Sequence, residues 1–245
     1  MFDTFFYQPI FNLMVVIYNL VPGHDLGITI ILLTIVIKIV LLPLSKKAIK
    51  SQKDLQNLQP KMEDIKKKYA DKKEEMSKAM MMLYKENKVN PLSSCLPVLI
   101  QLPFLYAVFK VFRVGFSPEA LNLVYPFISK PEAISYISFG IDLSQRNVVI
   151  AVLAGLAQFW QAKMMITKRP PVKSEGSKDE DMMAIMNKQM VYFMPVMTVF
   201  IGLSFPGGLA LYWLTTTLLS GLQQLYVFKK SRTKQPDALE GEIVK

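Results

Sequence analysis

The chain has 245 residues, 51% hydrophobic and 20% charged, with a formal net charge of +10. The charge is blocked rather than dispersed: residues 148–165 carry only Lys163, whereas 46–88 are crowded with Lys, Asp and Glu. A soluble domain interleaves polar and apolar positions at helix or strand spacing, so this segregation excludes that class. The basic surplus lies between the apolar blocks, where membrane topology alone puts it, which argues against nucleic acid as a direct partner.

One cysteine, Cys95, and one histidine, His24, exclude a disulfide framework and a cysteine-rich metal site. No cofactor is expected. Met1-Phe2-Asp3 lacks the basic start of a signal peptide, so the first span is expected to target the chain itself.

Residues 1–26 place Phe5, Phe6, Ile10, Leu13, Met14 and Ile17 near a 3-4 spacing, with Gln8 and Asn12 between them. That pattern predicts an amphipathic helix on the outer membrane surface. A hydrocarbon core of roughly 30 Å takes about 20 apolar residues in helix. Five stretches come close, at 27–44, 92–112, 148–166, 190–205 and 208–228. Phe205-Pro206-Gly207-Gly208 reads as a tight turn that makes the last two a hairpin.

Segments 45–91, 167–188 and 229–245 hold 23 Lys and Arg, against 3 in 1–26 and 113–147. The positive-inside rule makes the first set cytoplasmic, with the N-terminus outside and the C-terminus inside. Within 45–91, Leu55, Leu58, Met62, Ile65 and Tyr69 alternate by 3 and 4, and Met76, Ala79, Met80 and Leu83 resume the seam after Ala70-Asp71. This predicts a helical hairpin projecting into the cytoplasm. Segment 113–147 is expected to be an extracytoplasmic loop, 167–189 a cytoplasmic loop and 229–245 a cytoplasmic tail.

Lys38 is the candidate functional residue. It precedes Leu44 by 6 positions, about 9 Å inside the span at 1.5 Å per residue. An ammonium at such depth costs roughly 2.5–3.5 kcal/mol on insertion scales. Lys110 and Lys163 lie nearer span ends, where their long side chains reach the interface. Thr34 is one turn from Lys38, and Ser45 continues that face. Gln101 interrupts the second span, and Gln158 and Gln161 are three apart on the third. Tyr212, Thr216, Ser220 and Gln223 fall within an arc of about 80° on the fifth. Interhelical hydrogen bonding explains any one of these; an ammonium among polar stripes on several helices is better explained by a shared wet cavity.

Catalysis finds no support. His24 precedes the first span, so no buried Ser–His pair is available, and no motif frames a serine beside Lys38 as nucleophile. No phosphate-binding loop is present.

Three stretches together resemble the YidC/Oxa/Alb family of membrane-protein insertases. They are Lys38-Ile-Val-Leu-Leu-Pro43-Leu-Ser-Lys46; then Leu58-Gln-Pro60-Lys61, Leu83-Tyr84-Lys85, Val89-Asn90-Pro91-Leu92 and Leu99-Ile-Gln101-Leu-Pro103; and Phe205-Pro206-Gly207-Gly208-Leu-Ala-Leu-Tyr212-Trp213. The resemblance implies an all-α membrane protein with five spans around a hydrophilic groove, open to cytoplasm and lipid and closed to the outside.

By resemblance Lys38 takes the place of the groove cation, commonly Arg, with Gln101, Tyr212 and Trp213 at other groove or span positions. The missing large extracytoplasmic domain resembles the form found in single-membrane bacteria, which implies the plasma membrane as location. The implied partners are newly made membrane proteins and the lipid bilayer, with a Sec translocon and the ribosome as further candidates. The short, acidic-ending tail after Phe228 speaks against ribosome binding through a long basic tail. The competing reading is a solute transporter or channel using the buried cation; the lack of internal repeats and the charged hairpin count against it.

Overall fold

The computed structural model describes residues 3–69, 72–90, 96–114, 118–132, 134–164 and 189–232. Cys95, the cytoplasmic loop expected at 167–189 except its last residue, and the tail beyond 232 lie outside them. The described chain is predominantly helical, as the apolar blocks require.

A single π turn, Asp3–Tyr7, leads into α1, Gln8–Leu20, with Pro9 in its first turn. Proline is tolerated there because the first N–H groups of a helix have no partner to lose. Phe11, Met14 and Val15 of α1 are buried with Leu33, Ile37 and Val111. The chain then turns at Gly23, whose φ of 76° only glycine adopts freely. Asp25 opens α2, Leu26–Val40, by accepting from the Ile28 amide at 2.9 Å.

The stretch expected as one span at 27–44 is two helices. Leu41 forms a turn and α3, Leu42–Lys68, starts with a bend of 70°. Pro43 supplies the reason: it has no N–H to donate to the Ile39 carbonyl, so the α2 ladder stops and a new first turn begins. Among the described residues no single helix is long and apolar enough by itself to cross a membrane. The bent pair of α2 and α3 reaches that length and composition together.

Helix α4, Lys73–Glu86, packs back on α3. Leu58 and Leu83 are buried between them, and the Tyr84 hydroxyl donates to Met62 Sδ at 3.8 Å. Burial raises the Tyr84 pKa above the ordinary tyrosine value. Helix α5, Leu96–Val114, follows, then a one-turn α6, Pro118–Leu121. A two-stranded antiparallel ribbon pairs β1, Ile137–Ser138, with β2, Ile141–Asp142. The last three helices are α7, Val148–Met164; α8, Met194–Ser204, entered through a π turn at Gln189–Phe193; and α9, Gly207–Arg232.

Small residues set the packing of α7, α8 and α9. Ala151, Ala154, Gly155 and Gly202 are buried where these helices meet, and a Cβ on Gly155 would lie 2.3 Å from Val199 Cγ2. Backbones thus approach closely without bulky side chains between them, as in membrane helix pairs. Phe205 and Pro206 form the turn between α8 and α9, and the Gly207 and Gly208 amides donate to Gln145 O and Leu143 O at 2.7 and 2.9 Å.

One end of the bundle is thereby defined. Asn12 and Asn19 of α1 donate to the carbonyls of Leu123 and Ser129, and Ser138 donates to Asp25 at the start of α2. Described residues of the 113–147 loop are thus tied to α1 and to the start of α2, and through the Gln145 and Leu143 carbonyls to the start of α9. The other ends of α2 and α9 point towards α3, whose Lys53 donates to Phe228 O at 3.3 Å. Val149, Leu153, Leu156, Val196, Phe200 and Leu222 leave α7, α8 and α9 with exposed apolar flanks.

Candidate functional site

Lys38 lies in the last turn of α2. Its Nζ donates a 2.7 Å hydrogen bond to Ser220 Oγ, and that hydroxyl donates to Thr216 O one turn back on α9, also at 2.7 Å. Helices α2 and α9 pack directly, so a charge from the first apolar stretch reaches the polar stripe of the last. Two turns along that stripe from Ser220, Tyr212 is 1% exposed and its hydroxyl accepts from the Gln101 amide on α5.

Lys38, Gln101 and Ser220 border a cavity of about 70 Å³ lined also by Ser45, Gln161 and Gln224, among others. The ammonium and the amides make it polar, with room for a few waters. Gln224 Oε1, in that lining, is buried with no hydrogen-bond partner among the described residues, and a hydrated cavity is what satisfies such a group. No carboxylate lines it among the described residues, so the ammonium's only named partner is a neutral hydroxyl.

Of the residues singled out from sequence, the structure brings Lys38, Ser45, Gln101, Gln161, Ser220 and Gln223 to this cavity, with Tyr212 hydrogen-bonded to Gln101. Thr216 contributes its carbonyl through Ser220. Two make their contacts elsewhere, and a third does not reach the lining. Thr34 is 1% exposed and its hydroxyl donates to Ile30 O at 2.6 Å, so its polarity is satisfied on its own helix. Trp213 faces a narrow apolar pocket with Ala154, Thr198, Gly202 and Phe205. Gln158, a turn before Gln161, is absent from the lining.

Sequence reasoning missed Gln224 as a site residue, although it sits four positions after Ser220 and so shares its face. The described residues hold no group of three His, Cys, Asp or Glu side chains able to bind a metal.

Apolar outer flanks around an ammonium turned inward onto hydroxyls and amides define a helical integral membrane protein, the inverse of a soluble fold's charge distribution. The chain belongs to the 60Kd inner membrane protein family, whose model matches residues 16–235. It is 39% identical over 206 residues to a protein of Fusobacterium nucleatum subsp. nucleatum named "Membrane protein insertase YidC", covering 84% of this chain and 87% of that one. It is also similar to proteins of the same name from Geotalea daltonii, 36% identical, and Pelobacter propionicus, 35% identical. In those two the match spans 84% and 91% of this chain but only 34% and 38% of the relative's length.

Proposed function

We propose that this chain is a bacterial membrane protein insertase. It passes short hydrophilic segments of newly made membrane proteins through a polar groove and releases their helices into lipid. The observation that carries the reading is the Lys38 ammonium bonded to Ser220 at the edge of a cavity with no carboxylate lining it. The names of the relatives and the family match support it.

The physical problem is the cost of moving polar and acidic groups through bare hydrocarbon, about 2–4 kcal/mol for each poorly compensated group. A hydrated cavity shortens the dry path. Lys38, whose partner within the protein is a neutral hydroxyl, attracts an incoming carboxylate without first breaking a salt bridge to another side chain. The adjoining apolar segment then partitions sideways into lipid along the exposed flanks of the bundle. Driving force comes from burial of that segment, so the step needs no nucleotide and makes or breaks no covalent bond.

In this reading five spans surround the groove, α1 lies at the outer surface, α3 and α4 project into the cytoplasm, and the groove opens to the cytoplasm. The greater weight of Lys and Arg at the α3–α4 end supports that orientation. A Sec translocon and the ribosome remain candidate partners on this view. The test is reconstitution of the pure protein in liposomes with a small one-span substrate: protease-protected substrate is expected with the protein, and equal insertion into protein-free liposomes overturns the reading.

A further inference from the structure

Lys38 also borders a second space, on the outer side of the bundle. A groove of about 450 Å³ runs between α2 and the start of α3 on one side and the last turns of α9 on the other. Lys38 and Gln223 line both this groove and the inner cavity, so the ammonium forms part of the partition between them. The groove walls are mostly apolar, and Ile39, Leu222 and Tyr226 are 63%, 56% and 62% exposed. Its polar side chains are Lys38, Lys46, Gln223 and the hydroxyl-bearing Tyr226, with no Asp or Glu among the described residues. Lys46 is itself exposed, in the second turn of α3 beyond the 70° bend.

We propose that this groove binds one anionic phospholipid, with an acyl chain along the α9 wall and the phosphate on Lys46 and Lys38. The volume falls in the ordinary range for a bound small molecule, roughly 300–1,000 Å³. The chemistry is that of an amphiphile's receptor: an apolar trough with two cations and no anion to answer them. Lys46 follows Lys38 by eight residues, where a chain bending out of the bilayer meets the headgroups and a lysine stem reaches them by snorkelling.

A free phosphate would leave the exposed aliphatic wall uncovered, and a zwitterionic lipid would bring its own cation beside its phosphate, leaving the two lysines without net neutralisation. Lipid is moreover the solvent of this face, so the site is filled at high local concentration. The phosphate then acts as a counter-ion for Lys46 and for the outer side of Lys38. The inference rests on the membrane location of the chain and not on its insertase activity.

The test uses the full chain, delipidated in neutral detergent, with phosphatidylglycerol, phosphatidylcholine or glycerol phosphate added. Bound lipid is counted by native mass spectrometry and stability followed by thermal melting. Phosphatidylglycerol is expected to be retained with a preference of about tenfold over phosphatidylcholine, which corresponds to ~1.4 kcal/mol, and to raise Tm. Lys46→Gln should abolish the preference and Lys46→Arg keep it, while Leu222→Trp, which fills the trough, should lower retention of both lipids. Lys85→Gln, an exposed change on α4, should leave retention unaltered.

Equal retention of the two lipids, or insensitivity to both Lys46→Gln and Leu222→Trp, overturns the proposal. Stabilisation by glycerol phosphate equal to that by phosphatidylglycerol overturns the lipid assignment in favour of a bare anion site. Insertion assayed on the same preparations separates the two readings: lost lipid preference with intact insertion leaves the proposed function standing, and the reverse leaves the lipid site standing.

Discussion

Lys38 Nζ and Ser220 Oγ, 182 positions apart in the chain, meet at 2.7 Å and join the first long apolar helix to the last. The serine hydroxyl can accept from lysine because its own proton goes to Thr216 O. Cation, hydroxyl and backbone carbonyl therefore form a directed chain along the α9 stripe.

That pair is testable by a double-mutant cycle. Ser220→Ala and Lys38→Met should each destabilise the detergent-solubilised protein, and together by less than their sum, with a coupling on the order of 1 kcal/mol. Unfolding followed by near-UV circular dichroism gives the four values. Strict additivity would show that the contact carries no energy.

Charge, rather than hydrogen-bond geometry, is what the proposed mechanism asks of Lys38. Lys38→Arg should keep insertion, since a cation stands at the same depth. Lys38→Ala and Lys38→Glu should lower it by at least about tenfold, ~1.4 kcal/mol, for substrates with acidic outer segments. Full activity of Lys38→Glu on such a substrate, in the liposome assay, would sink the electrostatic step.

Hydration of the cavity predicts a labelling pattern. In a Cys95→Ser background, Gln101→Cys, Gln161→Cys, Ser220→Cys and Gln224→Cys should react with a membrane-impermeant thiol reagent added from the cytoplasm, because the reactive thiolate requires water. Thr34→Cys, Trp213→Cys and the lipid-facing Leu218→Cys should stay silent. Reagent from the outside should fail at all of them; labelling from both sides would instead favour a channel.

The close approach of α7 and α8 predicts a different outcome at Gly155. Its Cβ would meet Val199 Cγ2 at 2.3 Å and Pro195 O at 3.1 Å. Val199 is β-branched and stiff, so it has no easy rotamer into which to retreat. Gly155→Ala should cost about 1–3 kcal/mol through overpacking. Adding Val199→Ala should recover most of that loss, a rescue read by thermal melting.

The α3–α4 hairpin should be the first part to open. Among its described residues only Leu58 and Leu83 of the inter-helix seam are buried, while Met81 and Met82 are 67% and 63% exposed. Amides of α4 should exchange with deuterium much faster than those of α7. Equal protection would contradict a loosely held hairpin, and unchanged insertion after its deletion would contradict a functional need for it.

The sequence by itself determined what segregates with what. Blocked apolar and basic stretches make a helical membrane protein, and a single deep lysine facing a Tyr212–Thr216–Ser220 stripe marks the helices that must answer it. Helical period fixes those directions only relative to each helix's own axis.

How the axes are rotated against one another is decided by packing. Close approach at Gly155 and Gly202 sets α7 against α8, and Gln161 lines the cavity whereas Gln158, a turn before it, does not. Tertiary structure also decided which polar groups need a partner. Thr34 satisfies itself on the Ile30 carbonyl, an option open to a hydroxyl one turn along but not to the Lys38 ammonium or to long glutamine amides. The bend at Leu41 lay half-written in Pro43, whose missing N–H predicts a break but not its 70° angle. With α3 turned aside by that angle, one lysine borders both a polar interior and an apolar groove.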